Sequence, residues 1–241
     1  MKRILATFTA ILCAISLCAC SVGKKTNNGN TTNRVSTAPI DQNIIGTWMN
    51  EMSGYRFGEN RKVTLIIDFS ANAHFTKDGQ MQTMNALIPK ENMDYDGKKV
   101  YVTNTAYSEE YQQDLTSVLI DMERLDEPNP DSLDGHYHIL GGVATDVLAE
   151  QLGIPPENFN FEGVVDGEKF IIYMVDCFDY ETIDGTVDIF SDLITQYIMG
   201  EAKPLSYDYS IELDTLKMSA KGVEGVNPEV YFKVKEDNTN S

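Results

Sequence analysis

The chain has 241 residues, with 19 Lys and Arg against 37 Asp and Glu, a formal net charge of −18. Residues 1–43 carry five bases and one acid, which leaves 14 bases and 36 acids from residue 44 onward, a net of −22. A body that acidic excludes nucleic-acid binding through phosphates and is held off anionic membrane surfaces, while the length suits one domain with a well-buried core.

At the N-terminus, Lys2 and Arg3 precede an apolar run from Ile4 to Leu17. The run is shorter than the roughly 20 residues of a membrane span and has the form of a cleaved secretory signal. Leu17-Cys18-Ala19-Cys20 closes it and resembles the lipobox of bacterial lipoproteins. Ala19 supplies the small residue before the cysteine and Leu17 the third position back, whereas Cys13 and Cys18 each follow a bulky leucine. The resemblance implies that residues 1–19 are a signal peptide and that Cys20 becomes the first mature residue, carrying diacylglycerol in thioether linkage. It places the protein at the cell membrane, lipid-anchored on the extracytoplasmic face. Two or more acyl chains at about 0.8 kcal/mol per buried methylene give on the order of 20 kcal/mol of anchoring.

Residues 20–43 are rich in Asn, Thr, Gly and Ser and have little to bury, so they read as a flexible lipidated tether spanning roughly 25–30 Å. Lys24 and Lys25 stand where they can meet lipid headgroups. With Cys13 and Cys18 lost and Cys20 acylated, Cys177 is the thiol that remains. Export permits disulfides, but the mature domain has no second cysteine to pair with. Cys177 sits in the apolar run Phe170–Phe178 and reads as a buried structural thiol, with no neighbouring base to activate it.

Ordered sequence is expected over 44–236, a single domain, with 237–241 as a tail. Val63, Leu65, Ile67 and Phe69 alternate with more polar neighbours, predicting a strand with one buried face. Ser70-Ala71-Asn72 reads as a turn and Ala73–Thr76 as its return strand. Asp-Gly pairs begin at 78, 96, 134, 166 and 184; those at 96 and 166, flanked by apolar runs, predict hairpins. Tyr111, Leu115, Val118, Met122 and Leu125 recur at helical spacing with Ser108 as N-cap. Ala144, Val147, Leu148 and Leu152 predict a shorter helix stopped by Gly153, and Thr186–Met199 a third closed by Gly200. On that third helix Asp184, Asp188 and Asp192 form a solvated stripe. Tyr207, Tyr209, Ile211 and Leu213 alternate near the C-terminus. Val230, Phe232 and Val234 alternate with Tyr231, Lys233 and Lys235, a last strand with one wet face.

Ile45-Gly46-Thr47-Trp48, followed by Leu65–Phe69 and Phe75–Gly79, is similar to the opening of lipocalin-like domains, and Tyr209–Leu213 through Val230–Lys235 to their final hairpins. The resemblance covers 44–103 and 205–236. It implies that Trp48 of Gly46-Thr47-Trp48 plugs the closed barrel end beneath a basic residue of the last strand, Lys233 or Lys235, and that a ligand cavity opens at the barrel mouth. The fold expected is therefore α+β: an antiparallel, lipocalin-like barrel or strongly curved sheet with a helical insertion in mid-chain.

Catalytic motifs are missing: no Gly-x-Ser-x-Gly, His-Glu-x-x-His, Walker or dinucleotide fingerprint occurs. Asp134, His136 and His138 share one face if 134–138 is a strand, and imidazole with carboxylate suits zinc, but no fourth ligand is identifiable. The function expected is non-enzymatic and cofactor-free apart from the diacylglycerol. It is a membrane-anchored monomer binding a small ligand, peptide or envelope component. The alternative is a protein–protein module of a cell-envelope assembly, and a metal-dependent or other hydrolase ranks third.

Overall fold

The computed structural model describes residues 39–109, 111–142, 145–146, 155, 158, 160–191, 204–223 and 225–235. Among them the strands in chain order are β1 (Gly46–Met49), β2 (Ser53–Phe57), β3 (Lys62–Asp68), β4 (Ala73–Phe75), β5 (Met81–Thr83), β6 (Met93–Tyr95), β7 (Lys99–Ser108), β8 (Gln113–Arg124), β9 (Gly135–Gly141), β10 (Phe161–Asp166), β11 (Lys169–Ile183), β12 (Thr186–Phe190), β13 (Leu205–Glu212), β14 (Thr215–Ala220) and β15 (Glu229–Lys233). The described residues divide into two compact units, one built from those up to Leu65 and from Asp176 on, the other from those of Ile66–Val175.

The first unit is a closed eight-stranded antiparallel barrel. Its strands neighbour one another in the order β1-β2-β3-β11-β12-β13-β14-β15, and β15 returns to β1. Each strand thus pairs with its barrel neighbour along the chain, an up-and-down meander that leaves no open edge. The β11–β12 turn is Asp184-Gly185, flanked by paired Ile183 and Thr186. Both turn residues have positive φ, 47° and 78°, the type I′ geometry that an Asp-Gly pair adopts at little cost. The interior is made by period-2 side chains: Phe178 and Tyr180 on β11, Val187 and Ile189 on β12, Leu205 and Tyr207 on β13, Leu216 and Met218 on β14. Tyr55 stacks on Phe57 at 5.8 Å and meets Tyr231 edge-on at 5.3 Å, and Phe57 meets Tyr180 edge-on at 5.0 Å.

The second unit continues β11 into a sheet ordered β11-β10-β9-β8-β7-β6, antiparallel throughout. Its core gathers Val100, Val102, Ile120, Met122, Tyr137, Ile139, Phe161 and Ile172, with Phe170 in edge contact with both Phe69 and Phe75. The hairpins predicted at Asp96-Gly97 and Asp166-Gly167 join β6 to β7 and β10 to β11. At the first, Asp96 Oδ1 accepts from the amides of Lys98 and Lys99 at 2.8 and 2.7 Å, which holds its carboxyl below the usual range.

Several sequence-based expectations fail, each for a physical reason. The first helix of the expected insertion does not form: the stretch from Tyr111 to Leu125 is mostly β8. Ile120, Met122 and Arg124 alternate into the core there, and Thr116, Ser117 and Val118 are poor helix formers. Ser108 caps a hairpin turn rather than a helix, its Oγ accepting from the Tyr111 amide at 3.4 Å. Thr186–Phe190 of the third predicted helix is β12, so Asp184 and Asp188 lie on a turn and a strand; Asp192 and the rest of that helix fall outside the described residues. Of the 144–152 helix, Thr145 and Asp146 are described, and both are helical. The return strand β4 pairs with β5 in a two-stranded sheet of its own rather than with β3. On β15 Tyr231 is buried, while Val230, Phe232 and Lys233 are exposed, as is Val234 beyond it. Tyr and Lys bury their apolar bodies and keep a polar tip free, so an alternation of Val-Phe-Val with Tyr-Lys-Lys leaves the buried side undecided.

Candidate functional site

The Gly-x-Trp motif at the start of the barrel resolves into a packed cluster. Trp48 has no exposed surface, and its Nε1 donates to the Ile44 carbonyl at 2.7 Å. Across the β1–β15 pair it faces Lys233, whose Nζ lies 5.1 Å from the ring centroid, within cation–π range. Gly46 has φ +129°, and a Cβ there would sit 3.2 Å from Lys233 Cε, so glycine leaves the space through which the lysine stem passes. Of the two bases on the last strand, Lys233 is the one above Trp48.

The segment before β1 is tied to the same unit. The Asp41 amide donates to Thr182 Oγ1 on β11 at 2.9 Å, and Tyr209 OH on β13 donates to Asp41 Oδ2 at 2.8 Å. Asp41, assigned to the tether from its composition, is thus fixed to two strands that β12 separates. Burial pushes its carboxyl pKa up, but the Asn43 amide, the Tyr209 hydroxyl and the Asn43 side chain outweigh this and hold it below the ordinary value. Tyr55, Phe57, Tyr180 and Tyr231 meet ring against ring, and Trp48, Phe57, Tyr180 and Tyr231 have almost no accessible surface.

The Asp134–His138 segment is partly a strand: His136 and His138 lie on β9 on one side, and Tyr137 and Ile139 point into the core. His136 Nε2 is 2.9 Å from Glu162 Oε2, and His138 lies directly between Glu162 and Glu123 in register. Asp134 turns away, its Oδ1 accepting from the Gly167 amide at 2.9 Å. Among the described residues no group of three or more His, Cys, Asp or Glu is placed to hold a metal ion. Cys177 is half-buried rather than buried. Cys20 lies outside the described residues.

Sequence reasoning passed over Arg124, which is 6% exposed. Its Nη1 donates to the Asp134 carbonyl at 2.8 Å, and its Nη2 to the Ser132 carbonyl at 2.6 Å and the Tyr137 hydroxyl at 2.9 Å. These are neutral acceptors, and Nε is left without one. The guanidinium therefore clamps the 132–134 turn against β8, and Gly135 leaves it room.

The feature that sequence reasoning missed altogether is the distal half of the β7–β8 hairpin. Up to Val102 and Ile120 the pair is packed; there the register shifts so that Thr103 faces Val118, a bulge of the kind that redirects a strand. Beyond it both faces are open. Thr103, Thr105 and Tyr107 share one face with Val118, Thr116 and Asp114; Asn104, Ala106 and Ser108 share the other with Ser117, Leu115 and Gln113. Tyr107 is 63% exposed, Tyr111 at the turn 61%, and Leu115 is exposed as well. The edges are open too. Among the described residues β9 pairs with β8 only at Asp121–Arg124, and β6 with β7 only at Val100–Val102. The arm is held together by its own ladder and a Thr105–Thr116 hydroxyl pair at 2.8 Å.

No protein-family model matches the chain, no curated protein matches it, and no solved structure matches it. Function is therefore argued from these surfaces.

Proposed function

We propose that this chain is a membrane-anchored, extracytoplasmic, non-enzymatic protein, held by diacylglycerol on Cys20, that binds a protein component of the cell envelope through the β7–β8 arm. The observation that carries this reading is the arm itself: a ribbon with no strand beside its distal edges among the described residues, and with Tyr107, Tyr111 and Leu115 exposed. Two-stranded ribbons are marginal in water on their own, and exposed tyrosines are the side chains that anchor protein interfaces. The close-packed barrel rings favour this reading over a small ligand held in the barrel. Among the described residues no helix is long and apolar enough to cross a membrane; the Leu17-Cys18-Ala19-Cys20 sequence supports anchoring by lipid.

Two measurements test it. Cys20→Ser is expected to move the protein from the membrane fraction to the soluble fraction; persistence in the membrane would end the anchoring claim. A photo-crosslinking residue in place of Tyr107, in intact cells, is expected to give a discrete adduct that the same group in place of Phe232 does not. Equal labelling from both positions, or none from Tyr107, would contradict the arm as contact surface.

A further inference from the structure

Resting on the arm as contact surface, we infer that its occupant is a basic, extended polypeptide segment that adds as a strand to the free edge of β8. The edge is long enough: Gln113–Val118 offers six consecutive residues with no strand beside them among the described residues, as many as Thr103–Ser108 on β7, before the Gly142 backbone closes on Leu119 and Ile120; β8 is preferred because Asp114 and Asp121 stand on it and β7 carries no acid. Main-chain pairing to such an edge supplies affinity without demanding a particular sequence, and alternate side chains of the added strand then meet the two faces. One face would offer it Val118, Thr116 and Asp114 beside Tyr107, the other Ser117, Leu115 and Gln113 beside Ala106.

Charge decides the chemistry of the partner. Between Lys99 and Arg124 the sequence has 24 residues with five acids, Glu109, Glu110, Asp114, Asp121 and Glu123, and no Lys, Arg or His. Glu123 is already paired with Lys98. Asp114 is exposed, and neither it nor Glu109 or Asp121 has an ion pair among the described residues. A second copy of this chain would add the same acids to the ladder and, over residues 100–123, no base to meet them. A strand with Lys or Arg at alternate positions meets Asp114 and its neighbours with opposite charge, which favours encounter and fixes orientation.

The test uses the mature, lipidated chain in detergent and three synthetic peptides of about ten residues, alternating Lys-Val, Glu-Val and Ser-Val. Amide hydrogen exchange reads where each peptide lies, and titration calorimetry how tightly. The Lys-Val peptide is expected to slow exchange at 113–118 and to bind best. The combined Glu109→Gln, Asp114→Asn and Asp121→Asn changes, all outside the core, are expected to weaken it about tenfold. The inference is overturned if Glu-Val or Ser-Val binds as tightly, if protection falls elsewhere, or if the triple variant binds unchanged. A dimer whose 113–118 amides are protected without peptide would name a second copy as occupant and overturn it too. The Tyr107 crosslink separates the two levels: an adduct in cells with no preference for the basic peptide leaves the contact surface standing and removes only the cationic strand.

Discussion

Trp48 shows how a short motif acts through its neighbours. Its indole is enclosed, its N–H is satisfied by Ile44, and Lys233 covers its face because Gly46 has no side chain in the way. Trp48→Ala is expected to cost about 3–5 kcal/mol in urea unfolding, the usual loss for a buried large aromatic residue. Lys233→Met, which keeps the stem and removes the charge, should cost about 0.5–2 kcal/mol, the worth of one cation–π contact. Phe232, the residue before it, is 60% exposed, and Phe232→Thr should shift stability by no more than about 0.5 kcal/mol. The buried tyrosines set the alkaline limit. Burial, with Glu229's charge beside Tyr55, pushes the pKa values of Tyr55 and Tyr180 up to about 12. The unfolded chain ionises near 10, so the folded state holds these protons more tightly. Their contribution is complete below pH 10 and is lost as the pH rises toward 12, at about 1.4 kcal/mol per pH unit for each tyrosine. Urea midpoints that stay level between pH 10 and 12 would contradict it. Asp41 acts at the other end: its lowered carboxyl stabilises the fold above about pH 4 and ceases to as the pH falls through its folded value. Asp41→Asn should therefore flatten the acid limb.

At the scale of elements, legibility followed burial. Strands with one face in a core declared themselves: Val63–Phe69 and the alternation at Tyr207 were readable by period 2, and the Asp-Gly pairs at 96 and 166 marked their turns. The β8 strand was not readable because its core-facing alternation ends in Arg124, a charged residue clamped inside, and its distal half has no core to alternate against. Of the residues at helical spacing, Tyr111, Leu115 and Leu125 are exposed while Met122 is buried, so the spacing marks no common face. The same openness yields an expectation for the arm. Replacing residues 104–117 by an Asn-Gly turn should leave the thermal midpoint within about 2 °C, since few buried contacts are lost, while abolishing the Tyr107-dependent adduct. A large fall in the midpoint would show that the arm is part of the folded core.

For the whole molecule, the meander of a closed barrel was legible at its two ends, where the lipocalin-like resemblance lay, and its interruption was not. The chain leaves the barrel after its third strand and returns in its fourth, with the second unit between them. Neither length nor hydropathy marks that detour. What remains is a proposed division of labour along the sequence: a lipid on Cys20, a basic tether, an acidic body with a packed barrel, and a β7–β8 arm whose distal edges have no strand beside them among the described residues. The most direct measurement compares amide hydrogen exchange of the protein in its native envelope membranes with that of the purified lipidated chain. Exchange at 103–109 and 111–118 is expected to be at least tenfold slower in the native membranes, with barrel amides unchanged. Equal exchange of the arm in both settings would contradict a bound partner there.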